Sequence, residues 1–294
     1  MILGSNGFIG KNLVRYILTN DLMNEFSFIL VGRKQTEEKI DGITYRFADL
    51  TNYNLLESLL VSTAPNYIIN LAGIIDSDLD ACIQLNAELP RKILEIIISN
   101  KLSIDKVLLI GSAAEYGGNS SVPLTEPDDL RPLSPYGLSK LIQTEYFRYY
   151  APKIKVNLAR TFNIIGPFIS NKLSIGSFIE KINQCGDYDF IYTGNLSSKR
   201  DYLYVDDVIS AFLSILISGR PGEIYNVCSG EAISMHHIVS SLIRVSGKTI
   251  EVKIDPGLVR EIDIPISYGN NQKIIDHTGW SPKIRTEEMY SKLF

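Results

Sequence analysis

The chain is poor in the residue types that build metal centres and disulfide frameworks: three cysteines, three histidines and one tryptophan in 294 residues. Cys82, Cys185 and Cys228 lie far apart, with no CxxC pair. Neither a zinc site nor a set of disulfides is expected, and reduced thiols point to a cytoplasmic protein. No metal is assigned. Apolar stretches such as Tyr67 to Ile75 and Ala211 to Ile217 fall well short of the ~18 to 20 residues that span a bilayer. The N-terminus also has no basic region leading into a long apolar run, so neither a membrane association nor a secretory signal is expected. Charge of one sign is lacking too. Lys and Arg total 29 against 33 Asp and Glu, which leaves no basic excess to hold a phosphate backbone, and no nucleic-acid partner is expected.

What is present is globular, with 45% hydrophobic and 21% charged residues. Short apolar runs alternate with amphipathic stretches up to about Arg160. Strands are predicted at Met1 to Leu3, Phe26 to Val31, Ile43 to Phe47, Tyr67 to Leu71, Lys106 to Gly111 and Ile154 to Ala159. Helices are predicted at Phe8 to Leu18, Tyr53 to Leu60, Asp80 to Ser99 and Pro135 to Tyr150. Such alternation defines an α/β fold, a Rossmann-type doubly wound parallel sheet. Beyond Arg160 the pattern loosens, with a strand at Glu223 to Val227 and a helix at Met235 to Val245. Residues 1–160, with about 201–227, are assigned to a dinucleotide-binding domain; about 161–200 and 228–294 are assigned to a smaller C-terminal substrate-binding lobe.

The opening MILGSNGFIGKNL sets Gly4, Gly7 and Gly10 between a strand and a helix. Glycines there allow a tight turn and close approach to a pyrophosphate, which the helix N-terminus favours. The second strand ends in Gly32, Arg33 and Lys34, where NAD sites carry an acid for the ribose hydroxyls. A guanidinium binds a 2′-phosphate, so NADP(H) is favoured and NAD(H) is the alternative. Asp49 and Leu50 follow the third strand and could hold the adenine; Leu71, Ala72 and Gly73 follow the fourth, beside the phosphates. Tyr136 and Lys140 lie one helical turn apart, so an ammonium could lower the phenol's pKa into the range of acid–base work. Ser112 follows the strand beginning at Lys106.

These residues resemble the extended short-chain dehydrogenase/reductases, the nucleotide-sugar epimerase/dehydratase kind. The resemblance is carried by GSNGFIG at Gly4 to Gly10, NLAG at Asn70 to Gly73, Asn86 in QLNAELP, GSAAEYG at Gly111 to Gly117 and SPYGLSK at Ser134 to Lys140. It continues in RTFNIIGP from Arg160, KRDYLYVDDV from Lys199, YNVCSG from Tyr225 and TGWSP from Thr278. It implies Ser112, Tyr136 and Lys140 as the catalytic set, with Tyr136 as acid/base. Lys140 would lower the phenol's pKa and hold the nicotinamide ribose. Asn6, Phe8, Ile9 and Asn86 join the cofactor site, and Asn163, Arg200 and Arg260 join Ser112 on the substrate, a nucleoside-diphosphate sugar. A homodimer formed through the helices Asp80 to Ser99 and Pro135 to Tyr150 is also implied.

Dehydratases of this kind place an Asp-Glu pair where Ala113 and Ala114 stand, and neither alanine moves a proton. Enzymes that epimerise before reducing place a cysteine at Ala114 and use a histidine; the chain has only His236, His237 and His277. The C-terminal NVCSG, DPGLVREIDIP and TGWSPKI are most similar to reductases of GDP-4-keto-6-deoxy-D-mannose, with Leu258 replacing one of two arginines. Reduction of the C4 ketone of a nucleotide-linked 4-keto-6-deoxyhexose is the expected activity. An NAD-dependent 4-epimerase and a noncatalytic nucleotide-binding sensor are the alternatives. Only three residues precede Gly4, too few for a full first strand, so the natural polypeptide is expected to begin a few residues upstream.

Overall fold

A computed structural model describes residues 1–34, 39–118, 120–259 and 264–293. In its first half, β1 (Ile2–Leu3), β2 (Phe28–Gly32), β3 (Ile43–Phe47), β4 (Tyr67–Asn70), β5 (Lys106–Ser112) and β6 (Val156–Thr161) alternate with α1 (Phe8–Thr19), α2 (Tyr53–Thr63), α3 (Leu79–Ile83), α4 (Leu89–Ser99) and α5 (Pro135–Tyr150). Then come β7 (Asn163–Ile165), α6 (Ser174–Gln184), β8 (Asp189–Thr193), β9 (Lys199–Arg200), β10 (Tyr202–Tyr204), α7 (Val205–Ser218) and β11 (Ile224–Val227). The chain closes through β12 (Ile233–Ser234), α8 (Met235–Ser246), β13 (Ile250–Ile254), β14 (Ile266–Ser267), α9 (Gln272–Thr278) and α10 (Thr286–Ser291).

Seven strands form one parallel sheet in the order β3-β2-β1-β4-β5-β6-β11. The chain winds outward from β1 to β3, then returns to β4 on the other side of β1, which opens a crevice at the strand ends between β1 and β4. Both faces are covered because consecutive side chains alternate. Ile2 and Leu30 join Leu13 and Ile17 of α1 on one face. Leu3 and Val31 join Leu56 and Leu60 of α2 and Ile93 of α4 on the other. In β5, Val107 and Leu109 turn to that second layer while Leu108 packs with Phe212 of α7. At roughly 25 cal/mol per Å² of apolar area, this two-sided burial is the main stabilising term. The single tryptophan, Trp280, belongs to the α7 layer, and its indole N–H donates to Ser210 Oγ at 2.8 Å.

Two predicted strands begin two residues later than expected, each because a preceding turn captures the residue. Phe26 donates to Leu22 O, so β2 starts at Phe28; Ile154 donates to Tyr150 O, so β6 starts at Val156. The remaining strands make three small sheets, β10-β7, β12-β9-β14 and β13-β8. Among the described residues no helix is long and apolar enough to cross a membrane, and all three cysteines are free.

Candidate active site

Gly4 turns the chain sharply at the end of β1. It has φ +84°, and a Cβ there would lie 2.6 Å from Ala72 N, so the first loop packs directly on the loop after β4. The N–H groups of Gly4 and Ser5 both donate to Val31 O, which ties the same loop to β2. A Cβ on Gly10 would meet Ser5 O at 2.5 Å, so α1 can lie this close only with glycine there. No side chain caps the N-terminus of α1 at Gly7, which leaves the helix's first N–H groups, from Phe8 onward, for an anion. Phe8 and Ile9 are half-buried.

The other cofactor candidates gather on the same side of the sheet. Arg33 is exposed just past β2. Beyond β3, Asp49 Oδ1 accepts from Thr51 N and Oγ1, which with nearby Arg33 hold its carboxyl below the usual range; Leu50 beside it is buried. Leu71, Ala72 and Gly73 follow β4, with Leu71 N donating to Leu3 O at 2.9 Å. Asn6 lies across Gly32, where a Cβ would fall 1.7 Å from Asn6 Oδ1. That oxygen is buried without a partner, and an orphaned acceptor inside a glycine cradle suits a bound dinucleotide.

Ser112, the last residue of β5, lies opposite Thr161 of β6. Its N–H donates to Glu115 Oε1 at 2.8 Å and its Oγ accepts from Ala114 N. Tyr136 and Lys140 enter on α5, which starts sharply because Ser134 Oγ accepts from Gly137 N and Pro135 occupies the first turn. Lys140 Nζ donates to Ile110 O at 2.7 Å and faces Gly73, and Gln143 supports it from the next turn.

Here the expectation that Lys140 lowers the Tyr136 pKa is corrected for the cofactor-free protein. Burial pushes the phenol up to about 12; a hydrogen bond with Ser112 pulls down, and the charges of Glu115 and Cys82 push up. The ammonium is itself pushed down to about 8 by burial and is engaged with Ile110 O. Desolvation therefore dominates both groups, and Tyr136 is held in the proton-donating form.

Asn86 is in a π-helical turn, Gln84–Glu88, that interrupts the helix predicted from Asp80 to Ser99. It accepts from Ile74 N and donates to Ile74 O and Ser139 Oγ, each at 2.9 Å; Ser139 Oγ then donates to Tyr136 O. The turn thus pins the loop after β4 to the helix carrying Tyr136.

Two residues beyond Thr161, Asn163 opens a cavity of about 390 Å³ that Arg200 also lines. Asn163 Nδ2 donates to Asp201 O at 2.9 Å, and the Arg200 guanidinium donates to Lys199 O and Ile264 O. Lys172, just before α6, and Lys181, in its last turn, add two cations that the sequence analysis does not single out. Thr193 Oγ1 is buried there without a partner. Asp201, fully buried, accepts from Ser229 N and Oγ, Gly230 N and Gly269 N, which fastens the surrounding loops. Arg260 lies outside the described residues.

A glycine cradle on a doubly wound sheet, with Ser112 at the end of β5 and Tyr136 and Lys140 on α5 beside it, defines a dinucleotide-dependent enzyme of the short-chain dehydrogenase type. Residues 1–228 match the NAD dependent epimerase/dehydratase family, and the chain belongs to it. It is 26% identical to GDP-6-deoxy-D-talose 4-dehydrogenase of Aggregatibacter actinomycetemcomitans, over 99% of this chain and 96% of that protein. It is likewise 26% identical to GDP-6-deoxy-D-mannose reductase of Pseudomonas aeruginosa, over 98% of this chain and 93% of that protein. The structure of RMD from Pseudomonas aeruginosa complexed with NADPH superimposes with a TM-score of 0.82 at 25% identity, covering 99% of this chain and 95% of that one.

Proposed function

We propose that the chain reduces the C4 ketone of a nucleoside-diphosphate 4-keto-6-deoxyhexose, with NADP(H) favoured over NAD(H). The observation that carries this reading is the composition of the strand end. Ser112, Tyr136 and Lys140 are present, while Ala113 and Ala114 beside the serine offer no carboxylate for dehydration. A bound nicotinamide would supply the hydride. Tyr136 would donate the proton to the developing alkoxide, as a half-buried phenol held protonated is suited to do. Ser112 Oγ would hydrogen-bond the reacting oxygen. Lys140 would hold the nicotinamide ribose, and Asn163, Arg200 and Arg260 would hold the sugar diphosphate. The cations at the cavity support an anionic ligand of that kind.

The test is NADPH oxidation with GDP-, dTDP- and CDP-linked 4-keto-6-deoxy sugars, followed by product stereochemistry. Turnover of one of them is expected. A second reading, a 4-epimerase, uses the same three side chains. Tightly bound NAD+ that co-purifies, with no net NADPH oxidation, would establish it and overturn the reductase.

We also propose a homodimer through α4 and α5. Leu138 and Tyr149 are exposed three turns apart on one face of α5, and Ile98 is exposed on α4. Sedimentation at micromolar concentration should give twice the chain mass, and a monomer there would remove the proposal.

A further inference from the structure

Behind the serine lies an ion pair that the proposed mechanism does not use. Glu115 and Arg160 are both fully buried, with Arg160 Nη2 at 3.1 Å from Glu115 Oε2. Such a pair has a large desolvation penalty, and its stabilising value over an apolar pair is small or negative. Its retention calls for another explanation, and the partners of Glu115 suggest one.

Each carboxylate oxygen reaches a different part of the reacting centre. Oε1 accepts the backbone N–H of Ser112 at 2.8 Å, and Oε2 accepts the Thr144 hydroxyl at 2.7 Å. Thr144 is one turn beyond Lys140 on the helix that carries Tyr136. One carboxylate therefore spans the end of β5 and α5, the two elements that must hold a sugar oxygen between serine and tyrosine. Arg160 anchors it from β6, and Arg160 is anchored in turn: Nη1 donates to Tyr116 OH at 2.9 Å and to Glu126 O at 3.2 Å. Tyr116 OH also bonds Asn226 Oδ1 on β11. Three adjacent strand ends and the catalytic helix thus meet in one buried polar network.

We propose that Glu115 and Arg160 are the positioning pair of the reacting centre, fixing where Ser112 stands against Tyr136. This rests on the reading of those two side chains as the reacting groups. The carboxylate also acts through space, because its charge disfavours the phenolate of Tyr136 and favours the ammonium of Lys140. The groups acting on the phenol are Ser112 from β5, Glu115 from the turn after it and Cys82 from α3; Lys140, one turn on along its own helix, is engaged with Ile110 O.

Two variants test the pair. Glu115→Gln keeps the shape and removes the charge. The double variant Glu115→Leu with Arg160→Met strands neither charge and keeps the protein foldable where the single variant fails. In each folded variant kcat on the 4-keto-6-deoxy sugar that the wild type reduces should fall roughly tenfold to a hundredfold, with KM and NADPH affinity within about twofold. Independently of any substrate, the Tyr136 titration should move down by about one unit. It is followed by NMR of isotope-labelled tyrosine and assigned with Tyr136→Phe. A wild-type titration in a folded variant would overturn the proposal, and so would losses as large in KM and NADPH affinity as in kcat. If the wild type reduces none of the three sugars, the substrate reading fails separately and the titration alone decides the pair.

Discussion

A lysine held at 6% exposure carries its charge at an energetic penalty, and Lys140 allows that penalty to be measured. Its pKa falls from 10.5 to about 8 through burial, which at about 1.4 kcal/mol per unit disfavours the folded ammonium by roughly 3 kcal/mol at neutral pH. Replacing it leaves Ile110 O satisfied, since Gln143 Nε2 still donates to it at 3.0 Å, and removes a long 3.4 Å bond to Gln143 Oε1. Lys140→Met in the cofactor-free protein should therefore unfold later in urea than the wild type at pH 7, by on the order of 2 kcal/mol after the lost hydrogen bond is deducted. The sign with pH follows from proton counting. Between about pH 8 and 10.5 the unfolded lysine binds a proton that the folded one has released, so the wild type gains stability as pH rises. The variant's advantage should shrink across that window and vanish above it. An advantage independent of pH would mean that packing, not charge, separates the two proteins.

At the scale of elements, what could be read from the chain depended on how local the determining forces are. α5 runs from Pro135 to Tyr150 as predicted because Ser134, Pro135 and the spacing of its apolar residues are all within the segment. β3 was equally legible. The apolar spacing from Asp80 to Ser99 continues throughout and predicts one helix. The π-turn at Gln84–Glu88 is imposed from outside, by Ile74 and Ser139 bonding to Asn86. The strands beyond β6 are mostly two to five residues long, as in β9, β12 and β14. An alternation cannot be recognised over two residues. The cavity is lined by several such strands together with α6 and the loop before it, so no single motif marks Lys172 and Lys181. Arg160 did leave a trace. A charged residue within the otherwise buried stretch VNLART must have a partner, but which one depends on the adjacent strand.

For the whole molecule, the order β3-β2-β1-β4 brings four loops to one crevice, so cofactor choice is decided where β2 and β3 end. The exposed Arg33 stands past β2 with no acid at the strand tip. Among the described residues, the Asp49 carboxylate feels the Arg33 charge and is already engaged by Thr51. A 2′-phosphate would meet an exposed guanidinium that can bind it bidentately. Binding to the folded state alone stabilises the entire sheet by mass action, by about 2.7 kcal/mol at a hundred times Kd. For a chain of this size that is a rise of roughly 5 °C in Tm. NADPH should give such a shift, and NADH at the same concentration a clearly smaller one. Arg33→Ser should erase the difference between the two cofactors while leaving the cofactor-free Tm unchanged, because Arg33 is a surface residue. An NADH shift equal to or larger than that of NADPH in the wild type would reverse the assignment and turn the site toward the tightly held NAD+ of an epimerase.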